Sequence, residues 1–354
     1  MRAVVYHGPR DVRVESVPEP SHPEPGDVLL QPLWCGICGT DLHEYTSGPI
    51  VTPAKPHPLT GATIPQIFGH EFSASVVETG AGVTSVRAGD RVSVMPLIFC
   101  GRCDMCRLGK HHMCRIMACT GLSSSSGGLA EYALVHEYQV ARLPDEVSDI
   151  QGAAIEPAVV AMYGVERARF PAGGRVLITG SGPIGALAAL AAAALGAGQV
   201  IISEPNPKRG AFAAGLDVGP VLTETGDALT ERLRELTQGE GVDAAIECAG
   251  KEAAFNACIE AVKPQGSVVQ TGLHVAAAMT FPETWSMKDL RIEGTWCYNV
   301  TDWPRVIRLV AAGKYPVEKI ITSKLPLDSI VSGGFERLID PTGEEVKVLG
   351  SAAA

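Results

Sequence analysis

The run from Arg175 to Glu204 leaves this chain the fewest folds to choose from. Arg175–Thr179 is a short apolar stretch of the kind buried in a parallel sheet, and G-S-G-P-I-G follows it directly. An Ala- and Leu-rich helix then runs to Leu195, and a second apolar strand, Val200–Ser203, ends at Glu204. A glycine pattern alone is weak, but strand, glycines, helix, strand and acid in that order make a complete dinucleotide-binding unit. Gly180 permits the tight turn, Gly182 lets the backbone approach a pyrophosphate, and Gly185 lets helix pack close on strand. The helix begins at Pro183 and Ile184, where its N-terminus faces phosphate oxygens.

Glu204 lies roughly twenty residues beyond Gly182, the distance that brings an acid to the adenosine ribose hydroxyls. Its charge repels a 2′-phosphate, which favours NAD over NADP. Lys208 and Arg209 follow closely. Arg209 is counted with the cofactor-binding residues, where its charge softens that preference; the alternative is a solvated helix face.

The alternation continues with strand Val218–Leu222, helix Asp227–Leu236, strand Val242–Glu247, helix Glu252–Val262, strand Ser267–Thr271 and a further strand at Ile292–Cys297. Repeated β–α units build an open parallel sheet with ligand loops at the C-terminal ends of its strands. Cys248–Gly250 and Thr271–His274 are therefore placed to line the nicotinamide, with Cys248 and Thr271 as expected contacts.

The first 150 residues or so read differently. Short alternating runs at Ala3–Tyr6, Val12–Val17, Val28–Leu33, Phe72–Glu78 and Arg91–Met95, punctuated by Gly and Pro, describe a compact β domain. Thr40–Tyr45 starts a short helix, and five prolines between Ser47 and Pro65 make that segment a surface loop. From Ser148 to Arg169 the spacing suits one helix, or two broken near Pro157. The tail from Thr301 supplies two helices and a last strand, Glu345–Leu349, that returns to the first domain.

Six of the ten cysteines fall in two groups. Cys100, Cys103, Cys106 and Cys114 have a spacing at which four thiolates close around one tetrahedral ion. Arg102, Arg107, Lys110, His111 and His112 lie among them and offset the charge of such a centre. Four filled positions leave none for a substrate, so this zinc is read as structural; an iron–sulfur cluster would also use four cysteines. The second stretch, Trp34 to Glu71, carries Cys35 and Cys38 and closes on His70 and Glu71, a cysteine, a histidine and a carboxylate for one metal site. Glu156 lies inside an apolar run, where a buried carboxylate needs a partner such as a metal; the alternative is an exposed Glu at a helix bend.

A length of 354 residues suits about two domains. The net charge of −10 disfavours nucleic acid and anionic membranes and favours a small-molecule substrate. The opening M-R-A-V-V-Y-H-G lacks the apolar run of a signal peptide, and the longest apolar run, Leu187–Leu195, is too short to span a bilayer, so the cytoplasm is expected.

With both cysteine patterns and the nucleotide fingerprint in view, the chain resembles the medium-chain zinc-dependent alcohol dehydrogenases over nearly its full length. Within them it looks most like the (R,R)-2,3-butanediol dehydrogenases, through W-C-G-I-C-G-T-D-L-H-E-Y, G-P-I, H-P-L-T before G-H-E, I-E-P-A-V, S-E-P, G-T-W-C-Y-N, G-G-F-E-R-L and the final K-V-L-G. Sorbitol and threonine dehydrogenases are more distant kin. The resemblance implies an α/β protein with a GroES-like β-rich catalytic domain at 1–157 and 299–354, holding two zinc ions. A Rossmann doubly wound NAD domain would occupy 158–298.

By the same resemblance Cys38, rather than Cys35, joins His70 and Glu71 as a catalytic-zinc ligand, with Glu156 as a further or alternating one. Thr40 and His43 match the family's proton relay, against the plainer readings of a helix cap and a surface histidine. Lys347, opening K-V-L-G, joins the cofactor-binding residues. The activity implied is NAD-dependent oxidation of a secondary alcohol or vicinal diol, with 2,3-butanediol and acetoin as the leading pair and a polyol or L-threonine as alternatives. A homodimer or homotetramer is implied as well. The segment after Glu156, A-V-V-A-M-Y-G, and the polar run Ser123–Ser126 depart from the family's usual sequence and bear on substrate detail.

Overall fold

A computed structural model of the chain describes residues 1–340 and 342–353. They form two units, one made of Met1–Glu156, Asn299–Gly313 and the chain from Ile321 onward, the other of Pro157–Tyr298 and Lys314–Ile320.

The first unit is built on β structure, as its short alternating runs predict. A mixed sheet runs in the order Val140–Arg142, Arg91–Val94, Glu71–Thr79, Asp27–Gly36, Lys347–Ser351, Ile321–Pro326, with Ala133–His136 also paired to Asp27–Gly36. A smaller sheet orders Asp11–Ser16, Arg2–Gly8 and Gln66–Ile67. Tyr6, Phe68, Phe72 and Phe335 are fully buried between these elements, with the Tyr6 and Phe68 rings stacked at 4.9 Å. Burying each such side chain contributes about 1.5–3 kcal/mol relative to leaving it in water.

Strand register sets up the site. Gly36 pairs with Glu71 on one side and with Leu349 on the other, so Glu71 and the last strand flank the same residue. A Cβ at Gly36 would stand 2.2 Å from Glu71 Oε2, so glycine there leaves room for the carboxylate. The chain then turns at Cys38 into the helix Gly39–Ser47, whose first turn is capped by Asp41: its Oδ2 accepts from the Cys38 amide at 2.9 Å.

The second unit carries the parallel sheet. Its order is Val221–Leu222, Gln199–Ser203, Arg175–Thr179, Val242–Glu247, Val262–Gln270, Arg291–Gly294, the doubly wound arrangement in which strand order reverses beside the first strand. The helix Pro183–Ala194 follows the glycine loop, with Ala186–Ala192 buried.

Several boundaries differ from the sequence reading, each for a local reason. The strand expected at Val218–Leu222 shrinks to Val221–Leu222, because Gly219 sits at φ +155° and Pro220 has no amide to add to the ladder. The edge strand ends at Gly294, short of Cys297, which sits at φ +49°. The helical stretch 148–169 breaks at Ala154, between Asp149–Ala153 and Ile155–Ala168, and Pro157 falls in the first turn of the second helix, where its missing amide costs little. Segment 314–320 was assigned with the first domain but groups with the second unit, where Tyr315 Oη donates to the carbonyls of Leu187 at 3.1 Å and Ala158 at 3.3 Å. The tail holds one helix of length, Trp303–Ala311, and a strand not foreseen, Ile321–Pro326, before the final strand at Lys347–Ser351. No helix among the described residues is long and apolar enough to cross a membrane.

Candidate metal and cofactor sites

Cys38, His70 and Glu71 converge. One ligand atom from each lies within 4.8 Å of the others, with His70 and Glu71 buried and Cys38 half-buried. Cys35 is not part of this group: its thiol points to the Gly36 carbonyl at 3.6 Å, and burial pushes its pKa well above the ordinary value. His70 Nδ1 stands 3.4 Å from Asp41 Oδ1, and neither atom has a closer hydrogen-bond partner among the described residues. Burial pushes the imidazole pKa down, yet Asp41 and Cys38 together hold it well above its usual value. A half-buried thiol with a buried imidazole and a buried carboxylate, favouring positive charge in their midst, suits a divalent cation, and a carboxylate behind the histidine is the partner that fixes a metal-binding ring.

Lys347 is placed otherwise than expected. It was read as a cofactor-binding residue, but it is buried in the first unit with its Nζ donating to Glu71 Oε2 at 2.6 Å, Glu71 Oε1 at 2.9 Å and the Ile37 carbonyl at 2.9 Å. Its three N–H groups are therefore committed to Glu71 and Ile37. Burial, the largest influence, would lower its pKa, but the charges of Glu71 and Cys38 and the bond to Glu71 raise it above the ordinary lysine value.

Thr40 Oγ1 lies 3.8 Å from Cys38 Sγ, and His43 sits one turn further along the same helix, half-buried. Glu156 is buried, and its charge is felt at Lys347 and at the Cys119 thiol, which burial first of all pushes up to about 12. It stands near the metal group but is not one of the three residues whose ligand atoms converge.

The four-cysteine group is complete: the Cys100, Cys103, Cys106 and Cys114 sulfurs all lie within 4.8 Å of one another. Backbone amides point at them, Cys100 N to Cys114 Sγ at 3.3 Å, Cys103 N to Cys100 Sγ at 3.4 Å and Cys106 N to Cys103 Sγ at 3.5 Å. Hydrogen bonds from the Arg115 and Cys106 amides bring the Cys103 thiol down to about 6, while burial pushes Cys106 up to about 12. Four sulfurs gathered around one centre with amides directed at them fit a closed tetrahedral zinc site.

In the second unit the glycine loop has the predicted shape. Gly180 turns at φ +89°, and a Cβ at Gly185 would stand 2.0 Å from the Gly180 carbonyl oxygen. A Cβ at Gly182 would meet nothing within 4 Å, so open space stands above the helix N-terminus that starts at Pro183 and Ile184. This cradle fits a pyrophosphate. Glu204, at the end of the second strand, is buried and accepts from the Ser181 amide at 2.8 Å and Ser181 Oγ at 3.1 Å. Arg209 lies beside the same loop, its carbonyl accepting from Ser181 Oγ at 3.2 Å. Cys248 and Thr271 follow the ends of neighbouring strands, and the Thr271 amide donates to the Glu247 carbonyl at 2.9 Å.

Sequence reasoning missed Asp41 behind His70 and the buried pairing of Lys347 with Glu71. The first had a signal, an acid three residues past Cys38 in a helix's first turn. The second had none, because its partners lie in strands from opposite ends of the chain.

Two family models match the chain, the alcohol dehydrogenase GroES-like domain over residues 24–145 and the zinc-binding dehydrogenases over residues 183–312. The sequence is 37% identical to an (R,R)-butanediol dehydrogenase of Bacillus subtilis (strain 168), covering 99% of both chains. The structure superposes on the crystal structure of a 2R,3R-butanediol dehydrogenase from Bacillus subtilis with a TM-score of 0.92, at 36% identity and 99% coverage of both. It also matches an NADP-bound zinc-binding dehydrogenase from Sinorhizobium meliloti 1021, with a TM-score of 0.88, at 30% identity and covering 99% of this chain and 98% of that one.

Proposed function

The chain belongs to the zinc-binding alcohol dehydrogenases with a GroES-like domain, and from that premise we propose that it interconverts 2,3-butanediol and acetoin with NAD as hydride carrier. As a member of that family it is a zinc-dependent oxidoreductase of small alcohols or diols. The observation that carries the finer reading is the full-length 37% identity to a butanediol dehydrogenase, in a chain whose Cys38, His70 and Glu71 converge.

In this reading Cys38, His70 and Glu71 would hold the catalytic zinc, with Glu156 as a further or alternating ligand. Zinc there supplies Lewis acidity, which lowers the pKa of the substrate hydroxyl. Thr40 Oγ1 takes the hydroxyl proton, and His43 passes it towards water. Asp41 orients His70, while Lys347 holds Glu71 by both oxygens at 2.6 and 2.9 Å. Two carboxylates and a thiolate together would leave a zinc centre with net negative charge, so a lysine that draws on one of them preserves its Lewis acidity. Cys100, Cys103, Cys106 and Cys114 hold the structural zinc.

Bound NAD supplies the hydride acceptor. Gly180, Gly182, Pro183, Ile184 and Gly185 cradle its pyrophosphate, and Glu204 and Arg209 stand at the adenosine ribose. Cys248 and Thr271 border the nicotinamide. The negative charge of Glu204 favours NAD over NADP.

Two copies are proposed to pair through the edge strand Arg291–Gly294 in the cytoplasm, as a dimer or a tetramer built from such dimers. Exposed Val275, Met279, Phe281, Met287 and Trp296 in the segments before and after that strand support an interface. The substrate assignment is tested by steady-state rates with 2,3-butanediol, 2-butanol, sorbitol and L-threonine. The diol is expected to give the highest kcat/KM, and a higher value for sorbitol or threonine would move the assignment to that substrate.

A further inference from the structure

His274 is a side chain that the reaction described above does not use, and it is held with unusual care. Glu247, fully buried at the end of a central strand, gathers two loops. Its Oε1 accepts from the amides of Ala249 and Gly250, both at 2.7 Å. Its carbonyl oxygen accepts from the amides of Thr271 and Gly272, both at 2.9 Å. Its remaining carboxylate oxygen, Oε2, faces His274 Nε2 at 3.1 Å. Phe255 packs edge-on against the imidazole, with ring centroids 6.1 Å apart, so the ring is restrained on a second side.

A carboxylate acceptor facing Nε2 selects the imidazole tautomer that carries its proton there, in which Nδ1 is an acceptor. Nδ1 makes no hydrogen bond to any described residue, and the side chain is 18% exposed. The two loops leave the C-terminal ends of adjacent parallel strands, Val242–Glu247 and Val262–Gln270, on the far side of the first strand from Glu204. In an open sheet of this order, a dinucleotide with its adenosine at Glu204 extends its other half over these strand ends. The nicotinamide carboxamide has an NH2 group that needs an acceptor, and a rigidly held Nδ1 is one.

We propose that His274 binds the cofactor, with Nδ1 accepting a hydrogen bond from the nicotinamide carboxamide and Glu247 fixing the tautomer that makes this possible. The proposal rests on the nicotinamide-dependent reading of the second unit. It is tested by calorimetric titration of the zinc-loaded, full-length protein with NADH and, separately, with ADP-ribose, which lacks the nicotinamide. His274→Gln keeps a donor for Glu247 but loses the Nδ1 acceptor, whereas His274→Asn places an amide oxygen near the Nδ1 position. His274→Gln is expected to weaken NADH binding about five- to tenfold, the effect of one lost hydrogen bond, with ADP-ribose affinity unchanged and much of the loss restored in His274→Asn. Unchanged NADH affinity in His274→Gln would overturn the proposal. Equal weakening of NADH and ADP-ribose would also overturn it, since the residue would then only shape the loops. A wild-type chain that bound ADP-ribose but not NADH would instead remove the reading beneath it.

Discussion

Lys347 Nζ lies 2.6 Å from Glu71 Oε2, and the two side chains are only 2% and 1% exposed. The carboxylate thus faces the lysine and the candidate metal position where its oxygen converges with the ligand atoms of Cys38 and His70. Removing one member of a buried pair leaves the other charge uncompensated. Lys347→Met is expected to lower stability by roughly 3–5 kcal/mol, seen in thermal or denaturant unfolding, with much of the loss recovered in a Lys347→Met/Glu71→Gln double variant. Because the folded pKa of Lys347 is raised, the pair's contribution is fully present below the ordinary lysine range and is lost only as pH rises through the raised value. Activity in a Glu71-intact Lys347→Met protein is expected to fall about 10–100-fold, as for other partners of metal ligands.

The two cysteine-containing sites are expected to separate by metal analysis. Cys103→Ser removes one zinc per chain and lowers the melting temperature, while Cys38→Ser removes the other and abolishes turnover with much of the melting temperature retained. Loss of both ions from either variant alone would contradict two independent sites.

Glu204 is expected to carry the choice between cofactors. Its carboxylate, held by the Ser181 amide at 2.8 Å, faces the end of the glycine loop. Glu204→Ala is expected to raise the KM for NAD⁺ about tenfold and to narrow the NAD⁺/NADP⁺ ratio of kcat/KM. Equal kcat/KM for both cofactors in the unaltered protein would remove the basis for this preference.

Asp243 supplies a pH-dependent contribution within the second unit. Burial would push its carboxyl up, but the bond from Lys263 Nζ at 2.5 Å and that from the Arg175 amide at 2.8 Å bring it below its ordinary value. A carboxyl lowered by folding stabilises above its unfolded pKa, and that stabilisation disappears as pH falls through the folded value. Asp243→Asn should therefore cost about 1–2 kcal/mol at neutral pH, with the difference from wild type vanishing in acid. Denaturant melts at pH 7 and at the acid limit of folding check this.

Features written in adjacent residues were legible in the sequence. The glycine fingerprint is local, since a turn at φ +89° and a helix pressed on Gly180 demand glycine wherever they occur. The spacing of Cys100 to Cys114 is local in the same way. What escaped was written across the chain. Ile321–Pro326 alternates half-exposed and exposed residues at a sheet edge and so shows no apolar stripe, and its partner is the last strand. Lys347 is grouped with the cofactor-binding residues in the sequence because nothing near it there shows that Gly36 pairs with both Glu71 and Leu349. The same lack of a local signal hid the convergence of the Glu247 carboxylate with His274.

The most direct measurement is NAD⁺ reduction by the zinc-loaded protein with the three 2,3-butanediol stereoisomers supplied separately. The expected result is NADH formation with at least one isomer at a higher kcat/KM than with sorbitol or L-threonine, lost in Cys38→Ser. No turnover with any 2,3-butanediol stereoisomer, alongside turnover of sorbitol or L-threonine, would contradict it.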